Sequence, residues 1–96
     1  MMFMNQWEID EAVVRHPAST VQGQAARILQ RLRDQVNEIS DGWAYWSKPL
    51  QASKNLMILV QYRGGAVSEA DLKKALIPVK SFCTKHGLDS AKIFQL

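Results

Sequence analysis

Few residues in this sequence are equipped for chemistry. His16, His86 and Cys83 are the only imidazoles and the only thiol. Cys83 and His86 stand three positions apart and would share one side of a helix, a spacing that offers two ligands for a tetrahedral zinc ion. No second pair of Cys or His residues is present to complete the coordination, so no metal centre is expected. The same two residues have the types needed for a thiol nucleophile beside its base. Cys83, however, shares an apolar stripe with Val79 and Phe82, where a thiol is expected to be buried and inert. Glu8, Asp10 and Glu11 cluster in what reads as the first turns of a helix. Negative charge there complements the helix dipole without any acid–base role. Gly64-Gly65 belongs to neither of the glycine patterns that cradle phosphate. The expectation is a protein that is not an enzyme and carries no cofactor.

Two other groups of residues have the chemistry of binding. Asp41-Gly42-Trp43-Ala44-Tyr45-Trp46 places Trp43, Tyr45 and Trp46 beside a turn. Such side chains anchor partners because they bury a large area at small cost in rotamer freedom. The competing expectation is that they plug the core between the neighbouring elements. The second group lies between Val79 and Leu96, a segment that resembles the generic helix-turn-helix pattern of DNA-binding domains. Phe82 matches an apolar position, Cys83 the small residue, Gly87 the turn, and Leu88, Ile93 and Leu96 the later apolar positions. His86 departs from the pattern, standing where an apolar residue is usual. The resemblance implies a second helix able to enter a major groove, with Lys80, Lys85, Ser90, Lys92 and Gln95 turned to the nucleic acid.

Charge is unevenly spread. The net charge is +3, yet residues 1–42 carry four Arg against six acids and residues 43–96 carry eight Lys and Arg against three acids. The halves therefore hold −2 and +5. The basic half suits either a solvated lysine-rich surface or an acidic partner.

Helices are expected to position these groups. Asn5 and Glu8 have capping-box spacing at the head of a first helix, with Trp7, Ile9, Val13 and Val14 as its apolar face and Pro17 as its stop. Ser19 and Gln22 repeat that spacing before Val21, Ala25, Ile28, Leu29, Leu32, Val36 and Ile39, which share one stripe at about 100° per residue. Arg27, Arg31, Asp34 and Glu38 fall opposite and read as a solvated face on which Arg31 pairs with Asp34. Residues 43–63 fit two templates. Ser47 as a cap, Pro49 in a first turn and Leu50, Ser53, Leu56, Met57 and Val60 on one face favour a helix. The run Leu56–Val60 followed by Tyr62 also suits a strand, with Trp43–Trp46 as its partner. Ser68 and Asp71 open a last long helix buried through Leu72, Ala75, Leu76, Val79, Phe82 and Cys83, with Lys73, Lys74, Lys80 and Lys85 outside and a bend expected at Pro78. Gly87 and Leu88 end it, and Asp89 caps a short terminal helix carrying Ile93, Phe94 and Leu96.

The fold expected over residues 1–96 is one all-α domain, a bundle of four to five helices. The alternative is an α+β arrangement with a short antiparallel sheet from residues 43–63 and 91–96. The single cysteine rules out an internal disulfide and favours a reducing, cytoplasmic setting. No signal peptide is expected, because Met1–Glu8 lacks a basic n-region. No membrane association is expected either, because the longest apolar run, Leu56–Val60, is far too short to span. The leading functional expectation is a small interaction or accessory protein that binds another macromolecule or itself, as a homodimer. The alternative is weak nucleic-acid binding through residues 79–96.

Overall fold

In the computed structural model residues 3–39 and 47–95 are described. They form five helices: α1 (Gln6–Arg15), α2 (Val21–Ile39), α3 (Ser47–Gln61), α4 (Glu69–Lys85) and α5 (Ser90–Ile93). The all-α bundle is what the periodicity predicts. The α+β alternative is not: 47–61 is a helix, 90–93 is a helix, and no strand occurs among the described residues. The physical reason lies in α3 itself. Pro49 falls in its first turn, where the missing N–H has no intrahelical acceptor. Ser53, fully buried, donates its hydroxyl back to the Pro49 carbonyl at 2.6 Å, and Leu56, Met57 and Val60 bury on that side. Ser47, expected as the cap, is the first helical residue instead.

α1 starts as expected. The Asn5 side chain accepts from the Glu8 N–H at 2.9 Å, and the Glu8 carboxylate accepts from the Asn5 N–H at 3.1 Å. Its buried face is different from the expected one. Ile9 and Ala12 are inside and Val13 is partly covered, while Trp7 and Val14 point outward. Trp7 is two positions from Ile9, so the two cannot share a helical face.

α2 is the central helix, packed against α1 on one side and α3 on the other. Its cap is Thr20, one residue later than the expected Ser19: Thr20 Oγ1 accepts from the Gly23 N–H at 3.0 Å. Gln22 does not complete a capping box. Its amide instead donates to the carbonyls of Leu59 (3.0 Å) and Tyr62 (2.7 Å), serving the end of α3. Leu29 and Leu32 are wholly buried, and Val36 nearly so, whereas Ile39 is exposed.

Asp34 and Glu38 are exposed, as the solvated face read from the sequence requires, but Arg27 and Arg31 are half-buried and engaged elsewhere. Arg27 donates to the carbonyls of Val13 and His16, where α1 runs out of intrahelical donors. Arg31 donates to the Ile93 carbonyl at 3.1 Å rather than pairing with Asp34. Asp34 is held by Arg33 at 2.8 Å. A cation at a foreign helix C-terminus is favourable, which accounts for arginines placed against the dipole of their own helix. Arg33 also bonds Asp10 at 2.7 Å and the Gln6 carbonyl at 2.9 Å, tying α2 to α1. Partial burial pushes the Asp10 carboxyl up, and the hydrogen bonds from Arg33 and Gln30 outweigh it, leaving the group below its ordinary value.

α4 runs unbroken through Pro78 and packs on α3. Ser68 caps it, accepting from the Asp71 N–H at 3.2 Å. It ends in a left-handed Gly87, with the Leu88 N–H bonded to the Cys83 carbonyl at 2.9 Å and the Gly87 N–H to Thr84 at 3.4 Å. That is the Schellman pattern the Gly-Leu pair predicts. The core is continuous from Ile9 through Leu29, Leu32, Leu56 and Met57 to Val79, Cys83 and Ile93. Among the described residues no helix is long and apolar enough to cross a membrane.

Candidate functional site

The segment that resembles a helix-turn-helix is fixed from behind by α2. Gln35 is almost fully buried, and its side-chain amide grips the backbone of Asp89 twice. Oε1 accepts from the Asp89 N–H at 2.9 Å, and Nε2 donates to the Asp89 carbonyl at 3.2 Å. Asp89 in turn caps α5 by accepting from the Lys92 N–H at 3.1 Å. α5 is a single turn of four residues, with Ile93 fully buried and its carbonyl taken by Arg31.

The five residues assigned to nucleic acid are only partly brought together. Lys80, Lys85, Lys92 and Gln95 are exposed and Ser90 is half-buried. Lys80 and Ser90 share a shallow hollow of about 570 Å³ with Thr84, Ala91 and Phe94. The Lys80 ammonium sits 5.6 Å from the centre of the Phe94 ring, within cation–π reach. On its other side Lys80 joins Gln95, Arg27 and Arg31 around a groove of about 410 Å³ floored by Leu72 and Leu76. Lys85 and Lys92 line neither depression. This corner can hold negative charge on a half-apolar floor, but the two arginines are already engaged with backbone carbonyls.

Trp43, Tyr45 and Trp46 lie outside the described residues. Cys83 and His86 are not assembled into a site. Cys83 is fully buried, which pushes its thiol up from the ordinary value. His86 is exposed, with its ring 4.3 Å from that of Phe82. No group of three or more His, Cys, Asp or Glu side chains able to hold a metal ion occurs among the described residues. A cleft of about 390 Å³ between α1 and the end of α3 gathers Glu8, Glu11, Arg15, His16 and Arg63, charges of both signs. Glu8 there is already used as a cap.

The surface that sequence reasoning missed is the outer side of α1. Trp7 is 67% exposed and Val14 87% exposed. At about 100° per residue the two are one stripe, seven positions apart, with Asp10 on one flank and Glu11 on the other. The signal was present in the spacing: Ile9, Ala12 and Val13 already satisfy the inward face, which leaves Trp7 and Val14 surplus. No known protein family, curated protein or solved structure matches this chain.

Proposed function

We propose that this chain is a small non-enzymatic interaction protein that uses the outer face of α1 to hold another macromolecule or a second copy of itself. The observation that supports the reading is Trp7, a large aromatic left two-thirds exposed on a helix whose inward face is already filled. Exposed aromatic residues rimmed by polar groups are typical anchors of interfaces. A reducing cytoplasmic compartment suits a chain whose only cysteine is buried.

The test is a photoreactive phenylalanine analogue placed at position 7 in the intact protein inside cells. The expected result is a discrete macromolecular adduct that disappears with Val14→Asp and persists with Asn55→Asp, an exposed control on α3. Failure to form an adduct, or an adduct indifferent to Val14→Asp, overturns the reading.

A second reading, nucleic-acid binding, draws on Lys80, Lys85 and Lys92, the lysines expected from the sequence, with Lys73 and Lys74 beside them, all exposed on α4 and α5. With α5 a single turn, binding would rest on phosphate contacts rather than base reading, with a dissociation constant on the order of 10⁻⁴ to 10⁻⁶ M. In a duplex titration at low salt, Lys80→Ala, Lys85→Ala and Lys92→Ala should each weaken binding and flatten its salt slope by roughly one. An anisotropy that does not change up to about a hundred micromolar protein removes this reading.

A further inference from the structure

The outer side of α4 carries the counterpart of the outer side of α1. Ile77 is 67% exposed, the same fraction as Trp7. Its neighbours Leu76 and Val79 are buried, so Ile77, like Trp7 and Val14, is an apolar residue with no place inside. Lys73 and Lys74 stand one turn before it and Lys80 one turn after, all exposed. An apolar centre ringed by lysines is thus matched elsewhere on the molecule by an apolar stripe flanked by acids.

We propose that the outer face of α4 receives the outer face of α1 from a second copy of this chain, so that copies associate head to tail. The proposal rests on the reading of α1 as a docking face and names its occupant. The charge pattern supplies the register. With Trp7 seated on Ile77 and the helices antiparallel, Asp10 and Glu11, one turn along α1, come opposite Lys74 and Lys73, one turn back along α4. Asp10 already holds Arg33, so Glu11 carries most of the attraction. Phosphate docking has no use for an isoleucine at the centre of the lysines, whereas a tryptophan does. Both faces are open in the single chain, because α1 packs on α2 and α4 packs on α3. Each added copy therefore leaves one face of each kind free, and such a heterologous contact builds a ring or an open chain rather than a closed pair.

Light scattering on the intact protein tests this. At low salt the parent should grow in mass with concentration past the dimer, and added salt should reverse the growth. Trp7→Ala and Ile77→Asp alter exposed positions, and each should give a monomer with unchanged helix content. The decisive sample is their equimolar mixture. Trp7→Ala keeps the α4 face and Ile77→Asp keeps the α1 face, so the mixture should form one-to-one dimers and stop there. The charge-reversed pair Glu11→Lys and Lys73→Glu/Lys74→Glu should each be monomeric alone and, when mixed, grow past the dimer again, because both contacts between the two variants are then complementary. A parent that stays monomeric up to about a hundred micromolar, the range of weak contacts, overturns the proposal, as does a mixture that stays monomeric or an oligomer that survives either single substitution. If the parent is monomeric while the position-7 adduct still forms in cells, the head-to-tail proposal falls and the interaction reading stands.

Discussion

Leu32→Ala is expected to lower the unfolding free energy by about 2–5 kcal/mol. Leu32 lies mid-helix on α2, the element that packs against both α1 and α3, and none of its surface reaches solvent. Its removal leaves a cavity in the continuous core, into which the surrounding side chains can relax only partly. A domain of this size has only about 5–15 kcal/mol to lose, so the loss should show as a large shift of the urea midpoint with little change in slope. A change under about half a kcal/mol, the range of ordinary surface substitutions, would mean that this stripe of α2 does not face the core.

Gly23→Ala is the second, and its sign runs against habit. In an ordinary helix position the change stabilises by about 0.4–1 kcal/mol through the unfolded chain. Gly23 is buried in the first turn of α2, directly beneath the chain that leaves α1. A methyl group there would overlap the Pro17 carbonyl and crowd that of His16. Neither is free to retreat, since Pro17 accepts from both the N–H and the hydroxyl of Thr20, and His16 accepts from Arg27. A destabilisation of about 3 kcal/mol is expected, the upper part of the range for overpacked sites. Thermal unfolding followed by circular dichroism measures it, and a variant as stable as the parent would show that α1 and α2 do not approach so closely.

What the sequence made legible was local. The Asn5–Glu8 box, the Ser68 cap and the Gly87-Leu88 ending all depend on residues three to five positions apart, and each is formed. The stripe of Leu29, Leu32 and Val36 needs only the helical period. What stayed hidden acts over distance through backbone carbonyls. Arg31 reaches Ile93 across 62 positions and Gln22 reaches Tyr62 across 40. Every residue owns a carbonyl, so no pattern of side-chain types marks the acceptor. Arg27 and Arg31 were for that reason read as solvated when they join helix ends, whereas Asp34 and Glu38 are exposed as read. The apolar count of α1 was readable but its direction was not: four apolar residues at positions 7, 9, 13 and 14 are more than one narrow face can hold. Of the binding residues, the outward lysines of α4 followed from the same period, whereas the α1 surface appeared only once the inward face was known to be full.

The grip of Gln35 on Asp89 sets an order of events in folding. The two residues are 54 positions apart, so closing that loop in a loose chain costs chain entropy that two hydrogen bonds to one residue cannot repay. Neighbouring pairs, α1 with α2 and α3 with α4, close much shorter loops and reward closure with apolar burial. Once α2, α3 and α4 are packed, Gln35 and Asp89 are already close, and the clamp adds little further ordering. The clamp is thus expected to close late, on helices already packed, and its closure seats the buried Ile93 against α2 and α4.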